Sequence, residues 1–552
     1  MTNNTQDKLV TLPRMNLTDR QLFDLELILS GGFAPLTGFL EEADYKSVVD
    51  TMRLISGALW PMPIVLDVPR SHGKKVGDEL ILCDRFGNPV ALFTIASIYE
   101  PDKLHEAQMV YGSTNEEHPG VKYLLKETKE IYFGGPVSLI SYSPKYDFVE
   151  LRRTPDELKR EFAQRGWDKV VAFQTRNPIH RAHFELVRRA AEKTGAKALI
   201  QPVVGLTKEG DIDYISRVRA YKRLVETRMK DWAMLSLLPL AMRMAGPREA
   251  VWHAIIRRNH GATHFIIGRD HAGPGKDSTG KPFYEPYAAQ ELALALENEL
   301  GIKIITSQEM HYIPKDDAYL PADELQPHHE TKNISGTEFR RMLRSGEEMP
   351  EWFSFPEVIE ELRKAAEKEK RRGATVFFTG LSGAGKSTIA HVLFSKLLEI
   401  QDRSVTLLDG DVVRQNLSKG LGFSREDRNI NIERIGYVAA EITKHGGIAL
   451  CAAIAPFEEP RERNRALIEK TGTYLEVYVS TPLDVCEKRD TKGLYKKARS
   501  GELKQFTGID DPYEVPTHPE IVIDTSVMDA PAAAEMIIEE LKRRGVVEDL
   551  RG

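Results

Sequence analysis

A glycine-rich segment in the second half of the chain has the residue types that bind nucleotide phosphates. It reads GLSGAGKS from Gly380 to Ser387 and fits the pattern G-x-x-x-x-G-K-[ST]. In this pattern the glycines let backbone N–H groups turn toward phosphate oxygens, the lysine reaches the β- and γ-phosphates, and the serine hydroxyl is a ligand for Mg²⁺. An apolar stretch (TVFFT) precedes the segment and a helical one (TIAHVLFSKLLEI) follows it, so we predict a strand–loop–helix unit that binds ATP with Mg²⁺. The residues assigned to nucleotide binding are Gly380, Leu381, Ser382, Gly383, Ala384, Gly385, Lys386 and Ser387, with Lys386 also a catalytic candidate and Ser387 a Mg²⁺ ligand.

Two carboxylates follow the next strand-like stretch, SVTLL. They are Asp409 and Asp411, and Arg414 lies three residues beyond the second. Carboxylates just past the end of a strand suit Mg²⁺ positioning and the activation of an acceptor hydroxyl. Either one could instead cap the helix that follows. The pattern indicates phosphoryl transfer without identifying the acceptor.

Two histidines in the first half lie close behind another strand-like stretch, KVVAF. His180 and His183 are three residues apart within QTRNPIHRAH, and Pro178 suits the first turn of a helix. This spacing puts both imidazoles on one helix face near its N-terminus, where the helix dipole favours polyphosphate oxygens. The spacing is also seen at metal sites, but neither a nearby carboxylate nor a third histidine at the usual distance completes a shell here.

A second turn in the first half follows the stretch THFII. It reads GRDHAG from Gly268 to Gly273. A glycine-flanked turn that carries arginine and histidine after a strand is typical of the edge where open α/β sheets bind ligands. The motif predicts a second part of an anion-binding site.

The elements around these motifs change in character along the chain. Residues 1–150 read as β-rich, with a helix that begins after Thr18 and a hairpin around the turn FGNP. Strands and helices alternate from residue 151, which favours a parallel sheet. A charged helical stretch over 356–372 reads as a linker before a second α/β unit.

Composition limits the classes of partner. The chain has 552 residues, 41% of them hydrophobic, and a formal net charge of −6, so no basic surface for nucleic acid or anionic membrane is expected. The three cysteines lie far apart, which argues against a cysteine-based zinc site and for a reducing compartment. No apolar stretch approaches the ~20 residues of a membrane span, and the N-terminus lacks a signal-peptide core. We expect a cytoplasmic protein with no zinc or redox cofactor.

Further motifs make the second half resemble the adenylylsulfate kinase family. They are DGD-x-x-R, LGFSREDRNIN and KGLYKKARSGELKQFTGIDDPYE, in the family's order. The resemblance implies transfer of the ATP γ-phosphoryl group to the ribose 3′-hydroxyl of adenylylsulfate (APS), giving PAPS. It also implies that Asp411, with Asp409 beside it, is the general base and that Asp411 is a Mg²⁺ ligand. Residues 492–504 would form a closing lid. The residues implied to bind the phosphosulfate and the adenine of APS are Arg414, Arg428, Asn431, Phe423 and Phe506.

One segment departs from that family. Where members usually read ISPYR, this chain reads IAPFE, with Ala455 in place of a serine and Glu458 in place of an arginine. The alternative therefore stays open that the second half is a nucleotide-binding regulatory domain.

The first half resembles the ATP sulfurylase family through LSGGFAPLTGFL, QTRNPIHRAH, VGLTKEGDIDYISRVRAY, GRDHAG and ISGTEFRRMLRSG. The resemblance implies attack by sulfate on the α-phosphorus of ATP, with release of pyrophosphate. The residues implied to bind sulfate are Gln174, Arg176 and Ala272, through its backbone. Those implied for the active centre and the leaving pyrophosphate are Thr175, Arg176, Asn177, His180, His183 and Arg269. Those implied to bind the nucleotide are Gly268, Arg269, Asp270 and His271. Met310 is either an adenosine contact or a core residue, and residues 208–213 are a candidate loop over the site.

The sequence as a whole predicts a multidomain α/β protein. A β-rich, PUA-like domain is expected over 1–150, a Rossmann-like nucleotidyltransferase domain over 151–325, a small helical subdomain with a linker over 326–372, and a P-loop kinase domain over 373–552. The resemblances imply that the chain converts sulfate to APS and then APS to PAPS, with ATP, sulfate, APS and pyrophosphate as partners. The direction of the first reaction stays open, and a homo-oligomer is expected, a dimer ahead of a hexamer.

Overall fold

The structure is a computed structural model that describes residues 11–205, 214–345, 347–366, 373–400 and 403–547. The chain divides into two compact units, one of Met1–Pro144 and Val149–Leu362, the other of Lys145–Phe148 and Arg363–Gly552. The candidate loop at 208–213 lies outside the described residues. Within the described part of the chain, no helix is long and apolar enough to cross a membrane.

The first unit begins with a seven-stranded, mainly antiparallel sheet. Its strands are β1 (Arg14–Asn16), β2 (Gly38–Phe39), β3 (Leu66–Val68), β4 (Glu79–Cys83), β5 (Pro89–Thr94), β6 (Ser97–Tyr99) and β7 (Ile131–Leu139). Its helices are α1 (Asp19–Leu29), α2 (Glu42–Thr51), α3 (Lys103–Tyr111) and α4 (Pro119–Lys126). The strand order is β1-β4-β5-β7-β2, and β3 and β6 also pair with β7.

Two local predictions for this region are confirmed. Helix α1 begins directly after Thr18, whose hydroxyl accepts from the Gln21 backbone at 3.3 Å while the Gln21 side chain accepts from the Thr18 backbone at 2.9 Å. This reciprocal pair satisfies two backbone donors at the helix start. The hairpin around FGNP is the antiparallel pair β4–β5.

The rest of the first unit is built on a five-stranded parallel sheet. Its strands are β8 (Val170–Phe173), β9 (Lys197–Ile200), β10 (Ala233–Leu235), β11 (His264–Ile267) and β12 (Lys303–Thr306). Its helices are α5 (Pro155–Gln164), α6 (Arg181–Thr194), α7 (Tyr214–Leu224, continued by a π-helical turn at Val225–Met229), α8 (Gly246–Asn259), α9 (Ala288–Ala295) and α10 (Glu297–Leu300). A hairpin and two helices follow: β13 (Met310–Ile313), β14 (Ala318–Pro321), α11 (Gly336–Ser345) and α12 (Pro356–Ala366). Short 3₁₀ turns lie at Val149–Leu151 and Ala322–Glu324.

The strand order of this parallel sheet produces a crevice at the carboxyl ends of two neighbouring strands. The order is β10-β9-β8-β11-β12, so the chain runs outward from β8 in one direction and then resumes beside it at β11. The connections after β8 and β11 therefore leave in opposite directions and open a crevice between the carboxyl ends of these two neighbours. The two first-half motifs follow β8 and β11 directly.

The second unit contains another five-stranded parallel sheet. Its strands are β15 (Ala374–Thr379), β16 (Val405–Asp409), β17 (Ile448–Ala452), β18 (Thr473–Val479) and β19 (Ile521–Ile523). Its helices are α13 (Lys386–Ile400), α14 (Gly410–Gln415), α15 (Arg425–Lys444), α16 (Glu458–Ile468), α17 (Leu483–Arg489), α18 (Leu494–Arg499) and α19 (Ala530–Arg543). The order is β16-β17-β15-β18-β19, which makes β15 the central strand. The predicted strand, loop and helix around GLSGAGKS are confirmed.

A buried ion pair ties the N-terminal region to the helix that carries part of the site. Asp24 on α1 and Arg243, just before α8, are only 3% and 5% exposed, and their Oδ2 and Nη2 atoms lie 2.5 Å apart. The second terminal nitrogen of Arg243 donates to the Ala241 carbonyl at 2.6 Å. The guanidinium also lies over the Trp252 ring at 5.4 Å. Each buried charge is stabilised by the other, and either one alone would be costly to bury.

Removing one charge from this pair is expected to destabilise the first unit strongly. Asp24→Asn leaves the Arg243 guanidinium buried without a counter-charge, which lowers the free energy of unfolding by about 3–5 kcal/mol. All five tryptophans lie in this unit, so denaturation followed by tryptophan fluorescence reports on it alone.

The matched control is another aspartate of the same helix. Asp19 pairs with Arg85 at 2.6 Å, but both side chains are well exposed, so Asp19→Asn should cost at most about 1 kcal/mol. Equal effects of the two substitutions would contradict a special role for the buried pair.

Candidate active sites

The crevice between β8 and β11 contains a cavity of about 730 Å³. Every residue predicted for the first-half site lines it: Gln174, Thr175, Arg176, Asn177, His180, His183, Gly268, Arg269, Asp270, His271, Ala272 and Met310. The structure therefore brings together side chains that the sequence separates by more than 130 positions, although their individual roles stay predictions.

The turn after β8 is held by hydrogen bonds from two sides. The Thr175 hydroxyl donates to the Asn177 carbonyl at 2.8 Å and accepts from the Asn177 backbone at 3.0 Å. From α7, the Tyr221 hydroxyl donates to the same carbonyl at 2.5 Å and the buried Arg217 donates to the Arg176 carbonyl at 2.8 Å. These bonds fix the backbone from which the Arg176 side chain reaches the Gly273 carbonyl at 3.4 Å.

The start of the following helix differs from the prediction. Pro178 is not in the first helical turn, because α6 begins at Arg181 with His180 as its N-cap residue. The backbone N–H of Arg181 donates to the Phe353 carbonyl at 3.1 Å, and the Thr175 turn keeps residues 175–177 out of the helix. The histidine pair still stands at the helix N-terminus, with ring centroids 6.3 Å apart.

Burial sets the charge of the two histidines. It lowers the pKa of His180 to about 3, with the neighbouring His183 ring adding to the effect, and the pKa of His183 to about 4. His180 Nδ1 lies 2.9 Å from the Ser354 hydroxyl, which leaves its Nε2 for the cavity. At neutral pH both imidazoles are uncharged and each offers one N–H donor.

The turn after β11 has an unusual backbone. Asp270 and Ala272 have φ values of 52° and 54°, in the left-handed region that non-glycine residues seldom adopt. The Gly273 N–H bonds back to the Asp270 carbonyl at 3.0 Å and the Asp270 N–H to the Pro286 carbonyl at 2.8 Å. Arg269 extends from the turn to Glu309, 2.7 Å away. Backbone strain of this kind is characteristic of functional turns.

Sequence reasoning missed the residues that support these turns from behind. On α8, His253 Nδ1 lies 3.0 Å from His271 Nε2, and its own Nε2 lies 3.3 Å from Glu249. Arg257, also on α8, bonds Gln174 at 2.6 Å. No motif marks these positions, because their roles depend on burial that a helical pattern does not specify. Also missed were cavity-lining residues from the predicted small subdomain, among them Lys332, Asn333, Ile334, Phe339, Trp352 and Phe353.

The phosphate-binding loop of the second unit links β15 to α13. Gly380 and Gly385 have φ values of 142° and 104°, and a Cβ atom at Gly380 would lie 2.5 Å from the Val479 carbonyl; neither position accepts another residue without strain. Lys386 is buried under the loop and donates to the carbonyls of Gly380 and Leu381 at 2.8 and 2.7 Å. Burial lowers its pKa to about 8, so it stays largely protonated at neutral pH.

The two carboxylates after β16 are in different environments. Asp409 accepts from the Ser387 hydroxyl at 2.7 Å and from the Asp411 backbone at 3.0 Å, which makes it the N-cap of α14. Asp411 is exposed and its carboxylate contacts the Lys492 ammonium group in the predicted lid segment. The carboxylate beside the predicted Mg²⁺ ligand Ser387 is therefore Asp409, whereas the roles predicted for Asp411 stay predictions.

The oxygen atoms of Ser387 and Asp409 fit a magnesium ion that is bound together with ATP. Mg²⁺ prefers oxygen ligands and is usually held by one or two protein groups together with substrate phosphates and water. Among the described residues there is no cluster of three or more histidine, cysteine or acidic side chains able to hold a metal, so a complete protein cage is not available in that part of the chain.

The predicted acceptor residues lie on two segments that Arg428 connects. Its guanidinium donates to the Phe423 carbonyl at 2.9 Å and contacts the Gln505 carbonyl, next to Phe506. It also pairs with Asp511 at 2.7 Å. The Phe423 ring is 56% exposed, with the Arg414 guanidinium 4.4 Å from its centroid. Phe506 is buried beside Tyr495, and Asn431 is buried with its Oδ1 lacking a partner among the described residues.

The segment that departs from the kinase family is well integrated. Ala455 is buried with φ of 46°, and its carbonyl accepts from Arg461 at 2.6 Å. The Glu458 carboxylate accepts from the backbone and hydroxyl of Thr517, and these bonds lower the pKa of Glu458. The substituted glutamate thus has a partner within the fold.

Models of known protein families match three successive parts of the chain. A family model described as PUA-like domain matches residues 2–142, one described as ATP-sulfurylase matches residues 149–365, and one described as adenylylsulphate kinase matches residues 372–524. Together with the sheets described above, these matches confirm the predicted multidomain α/β fold. The exact boundaries predicted at residues 150, 325 and 372 stay predictions.

Similar proteins extend along nearly the whole chain. A sulfate adenylyltransferase of Gibberella zeae is 52% identical over 544 residues, which cover 98% of this chain and 95% of the relative. One of Aspergillus fumigatus is 50% identical over 540 residues, covering 97% and 94%. A solved structure described as a hexameric APS kinase from Thiobacillus denitrificans is 33% identical, covers 98% of this chain and 96% of its own, and has a TM-score of 0.58. The chain therefore belongs to the sulfate adenylyltransferase family, in a form that joins an ATP-sulfurylase domain to an adenylylsulphate kinase domain.

Proposed function

We propose that the chain activates sulfate in two consecutive reactions. The ATP-sulfurylase domain converts ATP and sulfate to APS and pyrophosphate, and the kinase domain converts APS and a second ATP to PAPS and ADP. The observation that supports the proposal is that the predicted residues of each site lie together: those of the first line one cavity, and Ser387, after the central strand β15, bonds to Asp409 at the end of β16.

In the first reaction a sulfate oxygen attacks the α-phosphorus of ATP. A bond between sulfate oxygen and phosphorus forms, the bond to the bridging oxygen breaks, and pyrophosphate leaves. Gln174, Arg176 and the Ala272 backbone hold sulfate, and Arg269 contacts the nucleotide phosphates. The nucleophile belongs to the substrate, so positioning and charge stabilisation supply the rate.

The two histidines stabilise the leaving group. As neutral donors at the N-terminus of α6, His180 and His183 each direct one N–H toward the developing charge on pyrophosphate. Thr175 and Asn177 keep the turn in place through the hydrogen bonds that close it. Met310, at the cavity wall, contacts the adenosine.

In the second reaction the 3′-hydroxyl of APS attacks the γ-phosphorus of ATP. Asp411 accepts the hydroxyl proton, the bond to the β,γ-bridging oxygen breaks, and ADP leaves. Lys386 lies against the β- and γ-phosphates. Ser387 with Asp409 or Asp411 would hold Mg²⁺, which would neutralise charge on those phosphates. Arg414, Arg428 and Asn431 contact the phosphosulfate, and the adenine stacks between Phe423 and Phe506.

Joining the two activities has a thermodynamic reason. The phosphate–sulfate anhydride of APS is more energetic than the bond that it replaces, so the first reaction is uphill. Consumption of APS by the second reaction draws the first one forward by mass action. The alternatives are a regulatory kinase domain and a sulfurylase that runs toward ATP. The intact loop around Lys386 and the internal partner of Glu458 favour an active kinase.

We propose that the chain assembles with copies of itself. A solved relative that matches almost the full length is described as hexameric, whereas from the sequence we expect a dimer ahead of a hexamer. The small-molecule partners that we propose are the same for a dimer and a hexamer: ATP, sulfate, APS and pyrophosphate.

Labelled sulfate distinguishes the proposed function from its alternatives. With MgATP, pyrophosphatase and ³⁵S-sulfate, the wild-type chain is expected to carry label through APS into PAPS. Lys386→Ala should stop label at APS, since it removes the cation at the β- and γ-phosphates, and Arg176→Ala should prevent formation of either product. Chromatographic separation of the two nucleotides provides the measurement.

Three results of the same assay would contradict the proposed function. Label that stops at APS in the wild type means a regulatory second domain, and label in PAPS with Lys386→Ala places the phosphoryl transfer elsewhere. A wild-type chain that forms no labelled nucleotide overturns the first activity and with it the proposed two-step conversion.

The pH profile tests the neutral histidines. Because burial holds the pKa of His183 at about 4, its neutral form is present throughout pH 6–8 and is lost only as the pH falls toward 4. The ratio of kcat/KM for MgATP between the wild type and His183→Asn should therefore be constant from pH 8 to pH 6, with substrate titration cancelling in the ratio. A ratio that rises as the pH falls through about 6.5 would show that a charged imidazole takes part, and one that falls there would show a neutral imidazole without the lowered pKa.

A further inference from the structure

A buried arginine lies directly behind the cavity of the sulfurylase domain. Arg257 on α8 has a side chain that is 0% exposed, and it is not among the residues that line the cavity. Its Nη2 atom donates to Gln174 Oε1 at 2.6 Å and lies 3.4 Å from the Gln201 carbonyl. The Phe265 ring covers the guanidinium at 5.7 Å. The shorter hydrogen bond of Arg257 is thus to Gln174, a residue that lines the cavity.

The charge of this arginine has no counter-charge among the described residues. Its Nε and Nη1 atoms also lack hydrogen-bond partners in that part of the chain. Burial lowers the pKa of Arg257 to about 9, and the group remains a cation at neutral pH. Burying an uncompensated charge is costly, and an apolar side chain of similar length would fill the same space at less cost. The presence of an arginine at position 257 therefore needs an explanation other than packing.

The contact to Arg257 decides how the Gln174 amide is oriented. A guanidinium has donors only, so the amide group that faces it must be the carbonyl oxygen. The Nε2 group of Gln174 is then directed away from Arg257. Because Gln174 lines the cavity, the side chain presents a donor there rather than an acceptor. Sulfate has oxygen acceptors only, and this orientation suits it.

We propose that Arg257 is a positioning residue that makes this cavity selective for a divalent oxyanion. It acts by holding the Gln174 amide with its N–H donors toward the anion and by placing a buried positive charge behind it. The low-dielectric surroundings leave that charge poorly screened, so its attraction for two negative charges exceeds that for one. This inference rests on the proposed function of the first domain and identifies what selects its acceptor.

The test compares sulfate with perchlorate, a tetrahedral oxyanion of single charge. Arg257→Met is expected to raise the KM for sulfate about tenfold or more and to change the KM for MgATP less than about twofold. The inhibition constant of perchlorate, measured in competition with sulfate in the same pyrophosphate-release assay, should rise far less than the KM for sulfate. A loss confined to the divalent anion is not expected from a general loosening of the fold.

The neighbouring arginine supplies the matched control. Arg258 lies on the same helix and donates to the Leu300 carbonyl at 2.9 Å and to Asn259 at 3.2 Å, and neither partner is among the described residues that line the cavity. Arg258→Met should leave the ratio of the sulfate KM to the perchlorate inhibition constant unchanged. Where Arg257→Met fails to fold, Arg257→Lys keeps a donor cation and should show the same selective change at smaller size.

A double substitution tests whether Arg257 acts through Gln174. Gln174→Leu raises the KM for sulfate by itself. Adding Arg257→Met to it should then raise the KM by a smaller factor than in the wild type, because the amide to be positioned is absent.

Failure of the inference can be told apart from failure of the proposed function. A wild-type chain that forms APS, with sulfate, perchlorate and MgATP affected equally by Arg257→Met and by Arg257→Lys, overturns the inference alone. So does full additivity in the double variant together with an unchanged anion ratio. A wild-type chain that forms no APS overturns the proposed function, and the inference with it.

Discussion

Every substrate that we assign to this chain is an anion, whereas the chain itself has a formal net charge of −6. Positive potential must therefore be generated locally and protected from screening. The structure provides it from backbone N–H groups at the starts of α6 and α13 and from the buried cations Arg257 and Lys386. The remaining architecture can be understood as what holds these few groups in position.

Burial is the means by which both domains tune these groups. It lowers the pKa of His180 and His183, which leaves both rings uncharged at neutral pH, and it leaves Lys386 protonated near a reduced pKa. In the first unit the two motifs follow the neighbouring strands β8 and β11, and in the second unit the phosphate-binding loop follows the central strand β15. The Asp24–Arg243 pair connects helix α1 of the first unit to the segment just before α8.

The sequence predicts the fold class and the residues that line each site. These residues lie in motifs of glycine, histidine and arginine at fixed spacings, directly after strands that the apolar pattern predicts. The sequence does not predict what stands behind them. Arg257, His253 and Glu249 lie in a helix whose pattern gives no sign that polar side chains face inward. The prediction that Pro178 lies in the first turn of α6 is also wrong, because the Thr175 hydroxyl closes a separate turn before the helix begins at Arg181. Such features depend on contacts between distant segments.

In the arrangement that we propose, the acceptor anion binds against Gln174 and Arg257 lies behind it. A crystal structure of the chain with selenate and an ATP analogue carrying a methylene group between the α- and β-phosphates tests this directly, because selenium gives an anomalous signal that identifies the anion. We expect the selenium peak beside Gln174, Arg176 and the Ala272 backbone, with the Arg257 guanidinium still bonded to the Gln174 side chain. A peak elsewhere in the cavity, or a guanidinium turned away from Gln174, would contradict it.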